Sequence, residues 1–344
     1  MTAIRQPRVV LATDHPAQTV DIETKILEKA GALLVVAVTG EEGELLAIAP
    51  QAEAILTCFK RVSPAVVRAA PRLQVIGRYG VGVDNIAVEA ATERDVIVAN
   101  VPAYCEDEVA EHALALLLTL ARKVRVFDRA TRGGNWELAT GMPVHRIRGR
   151  VLGVVGLGRI GRALAASAAA LGLTVIAADR PVHEGRSEDM SIERFPIDEL
   201  FARSDFVSIH APLTAETTRL VDARRLSLMK PTAVLINTSR GGIVDLTALQ
   251  AALQNGVIAG AGLDVFEPER LPSDHPLLRL DNVVVTPHVA FYSEESMDAL
   301  QMLAATNVAR VLSGHTPASV VNPQVLKRPR WAHLTRVDQA ESPA

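Results

Sequence analysis

Short apolar runs and helical periodicities take turns along almost the whole chain. Buried strands are predicted at Arg8–Ala12 (RVVLA), Leu33–Val38, Ala52–Thr57, Leu73–Gly77 and Val96–Ala99. A second series follows at Val151–Val155, Leu173–Ala178, Asp205–His210, Ala233–Asn237, Gly260–Val265 and Asn282–Thr286. Between them, apolar positions recur at helical spacing over Asp21–Ala30, Pro64–Ala70 behind an N-capping Ser63, Glu106 to about Ala130, Leu246–Gln254 and Glu294–Ser313. Strands that alternate with helices predict an α/β fold with doubly wound parallel sheets. The helix from Glu106 starts acidic and ends basic, matching its dipole, and its broad apolar face predicts burial between domains or at a subunit contact. From Gln324 onward no period remains, and the end of the chain reads as a tail. No internal repeat of solenoid period is present.

One stretch organises the rest. Val151–Gly161 (VLGVVGLGRIG) is a buried strand, a glycine turn and a helix start, with the spacing Gly156-x-Gly158-x-x-Gly161. Gly156 permits the tight turn, Gly158 lets a pyrophosphate approach the backbone, and Gly161 lets helix and strand pack closely. The helix that follows presents open N–H groups and a positive dipole end to phosphates. A lone pattern of this kind is also an ordinary glycine turn. Here the next strand ends in Asp179, eighteen residues after Gly161, where a dinucleotide fold needs a carboxylate for the ribose hydroxyls. Asp179 also favours NAD over NADP, because a 2′-phosphate would meet a like charge, although Arg180 beside it works the other way.

At 344 residues the chain suits two domains. Its net charge of −3 offers no basic field for nucleic acid or an anionic membrane. Two cysteines, Cys58 and Cys105, make neither a disulfide framework nor a metal site. The N-terminal stretch lacks a signal-peptide pattern, and the longest apolar run, Ala113–Ala121, is far short of a membrane span. The expectation is a cytoplasmic protein with no membrane, nucleic-acid or metal partner.

Three ionisable residues stand just past strands of the nucleotide unit: Arg240 after LINTS, Glu269 in LDVFEPER and His288 in VVVTPHVA. Beside a nicotinamide, hydride transfer at a carbinol also needs a proton donor or acceptor. A histidine serves that role near neutral pH. A carboxylate bonded to it fixes the tautomer and stabilises the imidazolium, and a guanidinium binds a 2-oxo acid in bidentate fashion. Taken singly, each has a plain alternative: a surface ion pair for Arg240, a solvated Glu269, a capping His288. The glycine-rich loop Arg78–Asn85 reads equally as a carboxylate-binding loop or a structural turn. His112 reads as a packing or hydrogen-bonded histidine, and Cys105 as a weak candidate nucleophile. No GxSxG elbow, HExxH or paired CxxC occurs.

The segments GRYGVGVDNI (77–86), NVPAYCEDEVAEHALALLL (100–118), VLGVVGLGRIGRALA (151–165), HAPLT (210–214), LINTSRGGIVD (235–245), AGLDVFEPE (261–269) and TPHVAFYSEES (286–296) resemble the D-2-hydroxyacid dehydrogenase family. The resemblance covers roughly residues 8–323. It implies two Rossmann-like domains with an active-site cleft between them. A discontinuous substrate-binding domain takes 1–100 plus 291–323, an NAD-binding domain takes 101–290, and 324–344 remains as a C-terminal tail. It implies that Arg240 binds the substrate's carboxylate and carbonyl, that His288 is the acid/base and that Glu269 pairs with it. Arg78, Tyr79, Gly80, Val81 and Gly82 would hold the carboxylate, and Phe291 would line the pocket and favour an apolar tail. NAD contacts would come from Val81, Gly156, Gly158, Arg159, Ile160, Gly161, Asp179, His210, Ala211, Pro212, Thr217, Thr238, Ser239, Arg240, Asp264, His288 and Ala290. A homodimer with the long helix near the contact is also implied. The motifs TPHVAFYSEES and NVPAYCEDEV look most like the C-terminal-binding-protein branch, which leaves a second reading: an NAD-sensing corepressor-like protein with vestigial catalysis. Arg270 stands where proline is frequent in the family, and the spacing from Arg240 favours Glu269 over Glu267 as the partner of His288.

Overall fold

All strand pairings among the described residues are parallel, so each connection must cross over a sheet face, and helices lie in most of the described crossovers. The computed structural model describes residues 7–178 and 192–335. They divide into two compact units, Met1–Tyr104 with Ser293–Ala344, and Cys105–Tyr292.

The first unit holds strands β1 (Arg8–Ala12), β2 (Ala32–Val36), β3 (Ala52–Thr57), β4 (Val75–Arg78) and β5 (Ile97–Ala99), in the spatial order β2-β1-β3-β4-β5. Alternate residues supply two cores. Val10, Ala12, Leu56, Val75 and Ile97 pack with Leu300, Ala304 and Val308 of the helix Glu294–Leu312. Leu11, Ile55, Ile76 and Val98 pack on the other face with Leu45, Val66, Val67 and Ala91. Burial on both faces is why the central strands read as nearly continuous apolar runs.

The second unit holds β6 (Val151–Val155), β7 (Thr174–Ala178), β8 (Glu193–Arg194), β9 (Phe206–Ile209), β10 (Val234–Asn237), β11 (Gly260–Leu263) and β12 (Val283–Val285). Their order is β12-β11-β10-β9-β6-β7-β8. The helix expected from Glu106 to about Ala130 is broken. It runs Glu106–Ala121, and a second helix takes Val124–Arg132. Lys123 between them sits at φ +52°, a left-handed conformation that cannot continue a right-handed helix. The apolar face of the first piece is occupied within its own unit: Ala110, Ala113, Leu116 and Leu117 pack on Leu152, Val154, Val234 and Ile236 of the sheet and Leu164 and Ala165 of the helix Arg159–Ala170. Helices at Glu42–Ile48, Val88–Glu93, Ile197–Arg203 and Ala223–Leu228 escape a reading by period, because six or seven residues complete fewer than two turns.

The expected tail also needs correction. Pro323–Lys327 and Pro329–Trp331 form 3-10 turns, and the Trp331 side chain is only 3% exposed. Its Nε1–H donates to the Asp95 carbonyl at 2.8 Å, and Arg330 donates to the Leu73 carbonyl at 2.7 Å. Isolated anchoring side chains leave no periodicity to read. Trp331→Ala is expected to lower the unfolding free energy by about 3–5 kcal/mol, measured by urea unfolding. Among the described residues, no helix is long and apolar enough to cross a membrane.

Candidate active site

Strand register in the second unit aligns the strand ends. Ala178 pairs with Val155, Val155 with Ile209, Ile209 with Asn237, Asn237 with Leu263, and Leu263 with Val285. The residues one step beyond form a row along the carboxyl edge of the sheet: Gly156, His210, Thr238, Asp264 and Thr286. Asp179 holds the corresponding place in the sequence after Ala178 but lies outside the described residues. The strand order reverses at β6, and open α/β sheets take ligands at such a switch point.

The three glycines differ in what surrounds them. Gly156 sits at φ +94°, and a Cβ there would lie 2.7 Å from the Ala211 nitrogen. A Cβ on Gly161 would lie 2.3 Å from the Gly156 carbonyl oxygen. A Cβ on Gly158 would meet nothing within 4 Å, so the backbone there opens onto space at the N-terminus of the helix Arg159–Ala170. This is the arrangement a pyrophosphate needs, with Arg159 and Ile160 as the first helical residues. Thr238 adds a buried hydroxyl with no hydrogen-bond partner among the described residues. Ser239 Oγ donates to the Ala211 carbonyl at 2.5 Å, which ties the loops after β9 and β10 together. Thr217 Oγ1 donates to the Pro212 carbonyl at 2.6 Å and accepts from the Thr214 amide at 2.7 Å, closing the loop that carries Pro212. Burial pushes the His210 imidazole down to about 4, so it is neutral at pH 7 beside Ser208, Oγ to Nε2 2.8 Å. The residues present thus fit a dinucleotide.

Beyond the row come the reacting groups. Asn237 shapes the turn to Arg240: its Nδ2 donates to the Arg240 carbonyl at 2.9 Å, and its Oδ1 accepts from the Ser239 amide at 3.1 Å. Arg240 Nη1 donates to the Ser239 carbonyl at 2.8 Å. His288 Nδ1 and Glu269 Oε1 are 2.5 Å apart. Glu267 lies apart from this pair, its Oε2 3.8 Å from where a Gly242 Cβ would stand. The Phe291 ring meets His288 edge-on at 6.1 Å and 83°. His288 itself holds φ +58°, costly for a residue with a Cβ.

Asp264, completely buried, explains how that turn persists. Its carboxylate accepts from the amides of Val289 and Ala290, each at 2.9 Å, and its carbonyl accepts from the His288 amide at 2.8 Å. Thr286 Oγ1 donates to the same carboxylate at 2.5 Å. Thr286 was not among the residues singled out above. The signal was its place directly after the strand, equivalent to Thr238 and Asp264.

In the first unit the Arg78–Gly82 loop continues β4. Arg78 is buried, its Nη1 bonded to the Tyr79 carbonyl and its Nε without a partner among the described residues. Tyr79 is buried in the core, and its amide donates to the Thr57 carbonyl at 2.9 Å. Gly80 holds φ +139°, and the Val81 carbonyl accepts from Asn100 Nδ2 at 2.7 Å. Cys105 is a buried, free cysteine. No metal-binding cluster occurs among the described residues. A cavity of about 480 Å³ in the second unit is lined by Phe206, Val234 and Gly260, the first residues of their strands, so it opens at the edge opposite the row.

Comparison with known proteins agrees with this layout. Residues 114–290 match the model of the D-isomer specific 2-hydroxyacid dehydrogenase NAD binding domain. A glyoxylate reductase of Korarchaeum cryptofilum is 42% identical over 269 residues, covering 77% of this chain and 81% of that one. A D-3-phosphoglycerate dehydrogenase of Archaeoglobus fulgidus is 40% identical over 280 residues, covering 81% of this chain but only 53% of that longer protein. Among solved structures, the NADPH-dependent glyoxylate/hydroxypyruvate reductase of Sinorhizobium meliloti, in complex with NADP and malonate, superposes with a TM-score of 0.80 at 31% identity, over 92% of this chain and 96% of that one. These matches do not specify a branch within the family. The chain belongs to the D-isomer specific 2-hydroxyacid dehydrogenase family: it is an oxidoreductase, and its cofactor is NAD.

Proposed function

We propose that the chain interconverts a small 2-oxo acid and the corresponding D-2-hydroxy acid, with His288 as the acid/base. The observation that carries this is the 2.5 Å hydrogen bond between His288 Nδ1 and Glu269 Oε1. It commits Nδ1 to the carboxylate, so exchange of the substrate's proton falls to Nε2. Glu269 orients the ring and stabilises its imidazolium form, as a carboxylate does in a triad. NAD, when bound, supplies the hydride acceptor for the hydroxy acid, and its reduced form the donor for the oxo acid. In the reducing direction Nε2 gives its proton to the carbonyl oxygen. Arg240 binds the carboxylate and polarises that carbonyl. Phe291 beside His288 favours an apolar substrate tail. No observation favours the sensor reading.

Asp179 makes NADH the preferred reductant over NADPH, by like-charge repulsion of a 2′-phosphate. The protein works as a homodimer in the cytoplasm. Val124, Trp136, Leu138 and Met142 are all large, apolar and exposed within 124–142, as a subunit contact requires. Both cysteines are free, as a reducing compartment allows.

The test is oxidation of NADH and, in parallel, NADPH against glyoxylate, hydroxypyruvate, pyruvate and longer or aromatic 2-oxo acids. Turnover of at least one acid, faster with NADH, is expected. Intact NADH binding with no acid turned over would overturn the catalytic reading, and a preference for NADPH would overturn the role of Asp179.

A further inference from the structure

His112 lies on the helix Glu106–Ala121, beside Thr286 and Asp264, and the chemistry above makes no use of it. Its Nε2 is 2.9 Å from Thr286 Oγ1 and 3.7 Å from Asp264 Oδ1. A threonine hydroxyl has one proton to give. Thr286 gives it to Asp264 Oδ1 at 2.5 Å. Its oxygen must therefore accept from His112, which fixes the donor as Nε2–H. Donation runs from His112 through Thr286 to Asp264, and Asp264 also accepts from the amides of the turn bearing His288.

That turn needs an anchor. His288 holds φ +58°, and a non-glycine residue stays in the left-handed region only where its surroundings over-determine it. Asp264 supplies acceptors to the amides of His288, Val289 and Ala290. The Asp264 carboxylate is itself fully buried, and His112 links it through Thr286 to a helix whose next residues inward, Ala113, Leu116 and Leu117, are core. We propose that His112 is a positioning residue for the reaction: through Thr286 and Asp264 it ties the backbone of His288 to the helix Glu106–Ala121. This rests on the reading of His288 as the acid/base.

Four variants separate hydrogen bonding from packing. Thr286→Val keeps the shape and removes the hydroxyl, while Thr286→Ser keeps the hydroxyl. His112→Phe removes the donor, while His112→Gln carries an amide nitrogen to the Nε2 position. The first measurement uses the cofactor-free protein, with the histidine rings read by nitrogen-15 NMR. His112 is expected as the Nε2–H tautomer, and the His288 ring signals should move in Thr286→Val and His112→Phe but stay in Thr286→Ser and His112→Gln. The second is steady-state turnover of a 2-oxo acid with NADH. Thr286→Val and His112→Phe should lose about tenfold in kcat with KM for NADH unchanged, and the two conservative variants should recover it. An Nδ1–H tautomer at His112, unmoved His288 signals, or equal effects in all four variants would overturn the anchoring. A wild-type protein that turns over no 2-oxo acid would overturn the acid/base reading instead, and the NMR signals would still decide the anchoring.

Discussion

His288→Ala should lower kcat by about 10²–10⁴-fold while NADH still binds with its wild-type affinity. The substitution removes the proton donor but keeps a Cβ at φ +58°, so the turn pays no new backbone cost. Asp264 continues to hold the same backbone amides, because its bonds reach main-chain atoms. The ring's contacts with Glu269 and Phe291 are lost, and both partners keep access to water. Turnover by absorbance and NADH binding by fluorescence read the two expectations separately. A variant that keeps wild-type kcat would remove His288 from the chemistry, and one that no longer binds NADH would make the loss structural.

The second large effect is expected at Gly241. A Cβ there would stand 1.9 Å from the carbonyl carbon and 2.1 Å from the carbonyl oxygen of Phe266, which are backbone atoms that cannot swing aside. Either the loop after β10 or the loop after β11 must move. Arg240 is the residue before Gly241, and Glu269 follows Phe266 by three, so the displacement falls on both. Gly241→Ala should cost about 10²-fold in kcat/KM through misplacement of these groups. Overpacking should also cost about 1–3 kcal/mol of stability. Urea unfolding beside steady-state kinetics checks both. Unchanged kinetics would mean that the loops adapt without moving Arg240.

Much of this layout is legible in the sequence because parallel strands buried on both faces are written as plain apolar runs. The run VLGVV and its glycines mark β6 and the turn after it, and LINTSR and VVVTPH bring Arg240 and His288 just past strand ends. What escapes the sequence has identifiable causes. The break at Lys123 depends on one residue in the left-handed region, which lysine's chemistry does not announce. The short helices show too few turns for a period. Trp331, Arg330 and Val325 anchor residues 323–335 without a periodic pattern around them. Thr286 and His112 are separated by 174 residues and meet only because helix and sheet pack together. The same holds in the first unit for His15, 2.7 Å from the fully buried Glu23, with Glu23 bonded in turn to Gln301. Burial opposes charging there. The mutual hydrogen bond, the further hydrogen bonds to each group and the opposite charge together outweigh it, lifting the His15 imidazole above its ordinary range and lowering the Glu23 carboxyl below its own. Nothing local in either segment signals such a pair.

The row along the carboxyl edge has a consequence for how this enzyme can be altered. Gly156, His210, Thr238, Asp264 and Thr286 are set by where each strand stops, whereas the chemistry beyond them sits on separate loops. The loops are nonetheless interlocked: Ser239 Oγ holds the Ala211 carbonyl, and Gly241 leaves no room for a Cβ beside the Phe266 backbone. Re-specifying the substrate by loop exchange therefore means replacing neighbouring loops as one set, with Arg240 and Glu269 kept, while the sheet stays untouched. Deleting one residue inside a strand would be worse: every side chain beyond it would turn to the other face of the sheet, and the row residue would be drawn back from its neighbours.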